Sequence, residues 1–284
     1  MTIAGDEAEK LADILGARVV RSRSLGGGCV ADVRRVDLED GRAVVVKRGQ
    51  GLELEGWMLR WLRAHSAAPV PAVHYAAPDL LIMDFVDGES GRLTPAAEEH
   101  LGAIVAALHG VNGDAFGFER DTVIGGLKQP NPRETSWRRF FGEHRLMQMA
   151  RAAQAAQRLP ARTMARVETL AARLERWIDD AATPSLIHGD LWGGNILSRG
   201  ERVTGLIDPA IHFADPEIEL AFMTLFGSVG ARFFASYGER RPIRAGFFEA
   251  RRDLYNLYPL LVHVRLFGGS YIAQVDRTLD RFGV

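Results

Sequence analysis

One segment, residues 187 to 208, constrains this chain more than any other part of its sequence. It places three oxygen-bearing side chains at fixed intervals: Asp190, Asn195 five positions later, and Asp208 thirteen positions after that. An apolar stretch, 205–207, ends at Asp208, and strand-like residues flank the turn at 199–202. The pattern predicts a short hairpin that brings the three polar side chains to one place.

The interval from Asp190 to Asn195 is that of the H-R-D-x-x-x-x-N catalytic loop of kinases, with Gly189 where protein kinases have arginine. Phosphoryl transfer requires a carboxylate at the attacking hydroxyl group and oxygen ligands that hold magnesium against the phosphates. We therefore expect Asp190 to be the catalytic base, and Asn195 and Asp208 to bind Mg2+. An aspartate before a proline, as at Asp208, is also a common way to begin a turn. The adjacent His188 is expected to orient the loop through hydrogen bonds.

A glycine-rich stretch, Gly26, Gly27 and Gly28, lies between two strand-like segments. Such glycines let the backbone approach a phosphate closely and point amide groups at its oxygens, although many glycine-rich loops are only turns. The same residues fit a G-x-G-x-x-A dinucleotide fingerprint, which must open a helix. Residues 31–38 have the pattern of a strand instead. This favours a hairpin loop that covers the phosphates of a nucleotide.

Lys47 ends the apolar run 43–46, the context in which a strand lysine reaches the phosphates of ATP. Glu55, on the helix that follows, is its expected ion-pair partner. Taken singly, a lysine after a strand and a glutamate on a helix are usually solvated. The glycine loop, the lysine, the glutamate and the catalytic residues nevertheless follow one another in the order that the kinase fold requires.

Composition is consistent with a globular enzyme that acts on a small partner. The chain has 284 residues, of which 47% are hydrophobic and 25% charged, and Lys plus Arg (35) nearly equals Asp plus Glu (36). This balance argues against nucleic-acid binding. No run of about 18 apolar residues occurs, so we expect a cytoplasmic protein without a membrane span. The single cysteine, Cys29, excludes an internal disulfide framework.

Hydrophobic periodicity predicts two lobes of different composition, 1–86 and 87–284. The first lobe is expected to hold a five-stranded antiparallel sheet, with strands at 19–25, 30–38, 42–47, 73–76 and 80–85, and helices at 6–15 and 53–65, of which one packs across the sheet. A polar, glycine-containing stretch at 87–91 marks the boundary. The second lobe is expected to be mainly helical, with helices at 95–109, 133–157, 160–181, 216–227 and 246–267.

Three segments together resemble the fructosamine kinase (ketosamine-3-kinase) family, part of the aminoglycoside phosphotransferase and choline kinase group. They are HGDLWGGN at 188–195, IDPA at 207–210 and RDLYNLY at 252–258, and the likeness extends over nearly the whole chain. The resemblance implies an α+β, bilobal, protein-kinase-like fold. It also implies ATP-dependent phosphorylation of the 3-hydroxyl group of a ketoamine, on a small amine or on a glycated protein lysine.

The resemblance also assigns residues to the two substrates. Asp84, Phe85 and Val86 form the hinge expected to hold adenine through backbone groups. Trp192 is expected to stack on the sugar, or to be a core aromatic. The remaining acceptor contacts are expected from residues of the helical lobe: Asp215 and Glu217, which could otherwise cap a helix, and Trp137 and Arg145.

Two departures from the family pattern bear on the acceptor. Gly193 stands where the family usually has serine, and Glu219 stands where it has aspartate in the motif that braces the catalytic loop. The alternatives are therefore a kinase for another small hydroxyl compound, such as an aminoglycoside or choline, and a nucleotide-binding scaffold without catalysis.

We expect a monomer or weak dimer, and a redox-sensitive thiol at Cys29 if that residue is exposed.

Overall fold

The computed structural model describes residues 5–26 and 32–284. Its first lobe is a five-stranded sheet in the order β1-β2-β3-β5-β4, with every neighbouring pair antiparallel. The strands are β1 (Val19–Ser24), β2 (Asp32–Leu38), β3 (Ala43–Arg48), β4 (Val73–Ala77) and β5 (Leu80–Asp84). The predicted fold class is confirmed.

Side-chain alternation explains why this sheet holds a helix on each face. On β3, Val44 and Val46 belong to one apolar cluster, which also contains Leu11 and Leu15 of helix α1 (Gly5–Leu15). Val45 points to the other face, where it joins the cluster that contains Leu52 and Leu59 of helix α2 (Leu52–His65). Successive strand residues face opposite sides, so one short apolar run serves both clusters. The prediction of a single helix across the sheet is therefore too simple.

The second lobe is mainly helical, with several short strands. Its strands are β6 (Glu89–Ser90), β7 (Thr122–Ile124), β8 (Leu127–Gln129), β9 (Ser185–Ile187), β10 (Ile196–Arg199), β11 (Arg202–Leu206) and β12 (His212–Ala214). Its helices are α3 (Pro95–Leu108), α4 (Trp137–Phe141), α5 (Gln148–Ala155), α6 (Ala161–Ala171), α7 (Glu217–Leu225), α8 (Ala231–Gly238), α9 (Arg252–Phe267) and α10 (Ser270–Arg281). β6 pairs with β10, so the chain has joined the second lobe by Glu89.

Local chemistry sets several helix ends in this lobe. The Thr94 side chain accepts a hydrogen bond from the Ala97 N–H at 3.2 Å, and Pro95 occupies the first turn of α3. The predicted helix 133–157 begins only at Trp137, where Ser136 caps it, and it contains a π-helical turn at 142–147. The predicted helix 160–181 ends at Ala171. The later stretch instead includes Asp180, whose carboxylate accepts hydrogen bonds from the Ser136 hydroxyl and the Arg138 N–H.

The sequence patterns missed helices α8 and α10 and the β7–β8 hairpin. β7 and β8 are three residues each and are joined by Gly125 and Gly126, both at positive φ. Such short elements carry little periodic signal. Across the part of the chain that the structure describes, no helix combines the length and apolar character needed to cross a membrane.

Candidate active site

The catalytic loop runs from the end of β9 to the start of β10 and is held by its own polar groups. The Asn195 side-chain amide donates hydrogen bonds to Asp190 Oδ2 at 3.0 Å and to the Asp190 carbonyl oxygen at 2.9 Å. Its Oδ1 is therefore left as an oxygen ligand for a cation. The Ile207 N–H donates to the Asn195 carbonyl at 3.1 Å, which ties the loop to the strand that leads into Asp208. The predicted catalytic and metal-binding residues are thus brought together.

Gly189 adopts φ +85°, and a Cβ atom there would lie 2.2 Å from the Ala210 carbonyl oxygen. Only glycine can occupy this position without moving the backbone, since the left-handed conformation and the close approach both exclude a side chain. The Gly189 N–H donates to Glu219 Oε1 at 2.6 Å, and the His188 N–H donates to Glu219 Oε2 at 3.2 Å. The buried Glu219, paired with His109 at 3.0 Å, therefore braces the catalytic loop.

Lys47 lies between two carboxylates at the base of the cleft between the lobes. Its Nζ is 2.7 Å from Glu55 Oε1 and also contacts Asp208 Oδ1, and the residue is only 6% exposed. Burial acts to lower the pKa of Lys47, but the charges of Glu55 and Asp208 outweigh it and raise the pKa above its ordinary value. Lys47 is therefore a fixed cation, and it links the α2 helix to the predicted metal-binding residue.

The donor set suits a magnesium ion that is shared with phosphates. Among the described residues, no group of three His, Cys, Asp or Glu side chains is arranged to hold a metal ion alone. Mg2+ usually takes one or two protein oxygens and completes its shell with substrate phosphates and water. Asp208 and Asn195 both line the cleft and would supply those two oxygens. The Asp208 side chain is 43% exposed, and its backbone adopts φ +56°.

The interlobe cleft has a volume of about 1210 Å3 and is lined by residues of both lobes. Gly26 and the three residues expected to form the hinge, Asp84, Phe85 and Val86, line it. The Asp84 N–H donates to the Ala72 carbonyl at 2.9 Å within the sheet. Gly27, Gly28 and Cys29 lie outside the described residues, so the predictions for the glycine loop and the thiol remain predictions.

A second cavity of about 390 Å3, here called the aromatic cavity, adjoins the cleft. Trp192 and Phe226 line both spaces, Asp190 lines the aromatic cavity, and its partner Asn195 lines the cleft. The walls come mainly from α7, α9 and α10 and carry Ile218, Phe222, Tyr258, Pro259, Val262, His263, Leu266, Phe267 and Tyr271. The Asp190–Asn195 hydrogen bond therefore spans the junction of a charged cleft and an apolar cavity.

The position of Asp190 at this junction changes its acidity. Burial raises the pKa of Asp190 to about 7, and the negative charge of Asp208 adds to the shift, while the hydrogen bond from Asn195 opposes it. A carboxylate with such a pKa is a stronger base than an ordinary aspartate. Perturbed acidity of this kind is common at catalytic sites.

Trp192 is the only predicted acceptor contact that reaches the aromatic cavity among the described residues. It is 41% exposed, and its ring packs against Gly194, where a Cβ atom would come within 2.4 Å of the indole. Its ring centroid lies 6.3 Å from that of Phe226, in an edge-to-face arrangement. Trp192 is therefore a wall residue rather than a core aromatic.

The other four predicted acceptor residues are buried among their own partners and line neither cavity in the described part of the chain. Asp215 accepts from the Tyr255 hydroxyl at 2.8 Å, and Glu217 accepts from Arg251 Nε at 2.6 Å. Trp137 Nε1 donates to the Tyr255 hydroxyl at 2.9 Å. Arg145, whose pKa burial lowers to about 10, donates to the Pro130 carbonyl at 2.7 Å. Their positions favour a structural role over direct contact with an acceptor.

The aromatic residues of α9 and α10 were not among the predicted site residues. The RDLYNLY motif ends at Tyr258, which lines the aromatic cavity, but the motif indicated only the family resemblance, and His263 lies beyond it on a later turn of α9. His263 stands among rings of Phe226, Phe267 and Tyr271, with centroids 4.8–5.7 Å away. A cluster of aromatic residues at 258–271 was the available signal. It could not be separated from core packing without the fold.

Comparison with known proteins agrees with this geometry. A protein of Synechocystis sp. named as a probable ketoamine kinase is 36% identical over 278 residues, covering 93% of this chain and 90% of that protein. The chloroplastic protein-ribulosamine 3-kinase of Arabidopsis thaliana is 29% identical over 283 residues, covering 93% and 83%. The crystal structure of a protein of Thermobifida fusca assigned as a fructosamine-3-kinase superposes with a TM-score of 0.88 at 32% identity, covering 98% and 99%. Since the fructosamine kinase family profile matches residues 6–283, this chain belongs to that family.

Proposed function

We propose that this protein transfers the γ-phosphoryl group of ATP to a sugar hydroxyl group of a ketoamine, and that the 3-hydroxyl group is the acceptor. The observation that carries the proposal is the position of Asp190. It lies in the wall of the aromatic cavity and is hydrogen-bonded to Asn195, which lines the cleft. A nucleotide in the cleft and an acceptor in the cavity would therefore meet at this carboxylate.

The cleft supplies the nucleotide half of the reaction. The Asp84 N–H donates to the Ala72 carbonyl, so the hinge would bind adenine through the Asp84 carbonyl group and the backbone of Val86, and both residues line the cleft. Lys47 is held by Glu55 where it would reach the phosphates. Asn195 and Asp208 would hold Mg2+, which when bound neutralises the charge that develops on the transferred phosphoryl group.

The proton of the acceptor passes to Asp190. As the hydroxyl oxygen bonds to phosphorus and ADP leaves, the carboxylate accepts the hydroxyl proton and releases it to solvent after the product departs. The Asn195 amide fixes one carboxylate oxygen at 3.0 Å, which orients the other toward the acceptor. Glu219 holds the backbone of the loop through the Gly189 N–H, so Asp190 is positioned before substrates bind.

The lining of the aromatic cavity favours a ketoamine over a polycationic aminoglycoside. Among the described residues, its only carboxylates are Asp190 and the loop-bracing Glu219, so it has no acidic surface for several amino groups. A ketoamine has one amine, and aromatic faces such as Trp192 and Phe226 stabilise a single cation. Burial lowers the pKa of His263, and its Nδ1 lies 2.7 Å from the Pro259 carbonyl, so Nε2 remains a neutral hydrogen-bond acceptor.

A panel of acceptors tests the proposal. The purified protein is given ATP and Mg2+ with a ribulosamine, a fructosamine, an aminoglycoside and choline, and the position of any phosphate is assigned by NMR. We expect phosphorylation of the ketoamines at the 3-hydroxyl group. We also expect Asp190→Asn to lower the rate about 100- to 10,000-fold, the usual contribution of a catalytic base. Turnover of the aminoglycoside or choline alone, or an undiminished rate in the variant, would disprove the proposal.

A further inference from the structure

Gln129, the last residue of β8, joins the catalytic loop to the wall of the aromatic cavity. It is 1% exposed and makes three side-chain hydrogen bonds. Its Nε2 donates to the Ala210 carbonyl at 3.1 Å and to Thr122 Oγ1 at 2.9 Å, and its Oε1 accepts from the Tyr258 hydroxyl at 2.7 Å. Gln129 thereby connects the hairpin, the loop after Asp208 and helix α9.

The chemistry of the partners fixes which way the Gln129 amide faces. The Ala210 carbonyl can only accept a hydrogen bond, so the NH2 group must point toward it. The carbonyl oxygen of the amide then faces Tyr258, which must donate. Burial raises the pKa of Tyr258 to about 12, so its hydroxyl group keeps the proton that this bond requires.

Two of these partners border the catalytic loop and the aromatic cavity, respectively. The Ala210 N–H donates to the His188 carbonyl at 2.8 Å, and the Ala210 oxygen lies where a Cβ atom on Gly189 would otherwise be. The orientation of the Ala210 peptide therefore sets the path of the backbone just before Asp190. Tyr258, at the other end of the amide, lines the aromatic cavity.

The support behind Gln129 is itself buried and polar. Thr122 Oγ1 also accepts from the Asn131 side-chain amide at 2.8 Å, and Asn131 Oδ1 accepts from the fully buried Arg145. The Gln129 and Asn131 amides are fully hydrogen-bonded, although Arg145 Nε has no partner among the described residues. Satisfied buried amides hold such a network rigid, and the network loses rigidity when one of them is removed. The hairpin is thus held in place by contacts outside the reaction centre.

We propose that Gln129 is a positioning residue that sets the geometry of the catalytic loop and of the acceptor wall together. The part of this inference that concerns the acceptor wall rests on the proposed function. The part that concerns the geometry of the catalytic loop does not depend on which acceptor is phosphorylated. Gln129 touches neither cavity among the described residues, so it acts through Ala210 and Tyr258.

The test compares Gln129→Leu with Gln148→Leu, the same substitution at a partly buried glutamine whose Oε1 has no hydrogen-bond partner in the described part of the chain. We expect Gln129→Leu to lower kcat at least tenfold, with the KM for ATP within twofold of wild type, and Gln148→Leu to leave both constants unchanged. Gln129→Glu would place a carboxylate oxygen against the Ala210 carbonyl and is expected to lower kcat at least as much. Tyr258→Phe combined with Gln129→Leu should be less than additive, because both remove the same link.

Amide hydrogen exchange of residues 187–195 gives a readout that needs no acceptor. Faster exchange in Gln129→Leu, but not in Gln148→Leu, together with the lower kcat, is the expected result. Unchanged exchange, or faster exchange with wild-type kcat, overturns the inference. If the wild-type protein phosphorylates no ketoamine, the proposed function fails separately. The rate of Mg-ATP hydrolysis without acceptor is then compared between the variants in place of kcat, because hydrolysis uses the same catalytic loop.

Discussion

The interlobe cleft and the aromatic cavity adjoin at Trp192 and Phe226, yet they are built from different kinds of contact. The cleft depends on charges held at fixed distances, with Lys47 between Glu55 and Asp208. The aromatic cavity depends on rings of α7, α9 and α10 that pack around an apolar space. Phosphoryl transfer requires such charges whatever the acceptor is, whereas under the proposed function the shape and polarity of the aromatic cavity would decide which acceptor binds.

Asp190 lines the aromatic cavity and is hydrogen-bonded to Asn195, which lines the cleft, and this position explains its unusual acidity. The apolar walls bury it, and the cleft places the negative Asp208 nearby, so both sides raise its pKa. If the two cavities have separate roles, changes in the cleft should alter the use of ATP, and changes in the aromatic cavity should alter the use of the acceptor. Four measurements can break or sharpen this division.

The largest effect is expected for Asp208→Asn, which removes the carboxylate that would hold Mg2+ and that contacts Lys47. We expect kcat to fall about 100- to 1000-fold, as when one preorganised group that stabilises transition-state charge is lost. Steady-state kinetics at saturating ATP would measure it. The control is Asp87→Asn, an exposed carboxylate that lines the same cleft, which should stay within twofold of wild type. Equal losses in the two variants would contradict the assignment.

A smaller effect is expected for Glu55→Gln, which leaves Lys47 with Asp208 as its partner. The lysine then loses the contact that directs it to the phosphates. We expect the KM for ATP to rise about tenfold, which corresponds to the binding free energy contributed by one hydrogen bond to a charged group. The acceptor KM should not change. Glu53→Gln, at an exposed position of the same helix, serves as the matched control. A rise in the acceptor KM alone would reverse the roles given to the two cavities.

The buried carboxylate at the junction should reduce the stability of the nucleotide-free protein. The pKa of Asp190 is raised in the folded state, so the folded state holds the proton more tightly than the unfolded state. The resulting penalty is absent near pH 4, grows as pH rises, and is complete above about pH 7. Asp190→Asn should therefore raise the free energy of unfolding by about 1–3 kcal/mol at pH 8 and not at pH 4.

Urea denaturation in the presence of EDTA at both pH values would measure this difference. Asp87→Asn, which removes an exposed carboxylate, should change stability at neither pH. A stabilising effect of Asp190→Asn that is the same at pH 4 and pH 8 would show that its cause is not ionisation of the buried group.

The smallest effect is expected for Phe267→Ala, at the rim of the aromatic cavity. Phe267 is 57% exposed and lines the cavity, whereas Phe248 is 45% exposed and lies elsewhere in the described structure. Removing one partly exposed aromatic ring should weaken acceptor binding by about 1 kcal/mol of free energy. The acceptor KM should therefore rise about fivefold, while the KM for ATP stays unchanged. Phe248→Ala should alter neither constant, and a matching change in both variants would remove Phe267 from the acceptor site.

The sequence predicted the first lobe and the cleft well because both depend on local signals. Continuous short apolar runs define β3 and β5, and the short interval from Asp190 to Asn195 makes their hydrogen bond a local contact. Gly189 was recognised as the position where protein kinases have arginine. The reason for glycine, the approach of Ala210, is a contact between two loops and appeared only in the fold.

The proposed acceptor cavity was not predicted from the sequence, because the residues that line it are brought together over long separations along the chain. Asp215 and Glu217 had the right chemistry for sugar binding, but Arg244 and Arg251 reach them from a later part of the chain and bury them. Trp137 and Arg145 lie on α4 and the π-helical turn after it, and spacing alone does not show which face of such a segment meets a cavity.

By itself, the sequence determined the kinase-like order of parts and identified the residues proposed to handle phosphate, because phosphoryl transfer demands particular side chains at particular intervals. The tertiary structure decided what surrounds the proposed acceptor site. Helix α7 is separated along the chain from the consecutive helices α9 and α10, and only their packing places Phe226, which follows α7, around one space with His263 and Tyr271. Hydrophobic burial is non-directional, so a sequence specifies that these rings are buried without specifying which of them border a cavity.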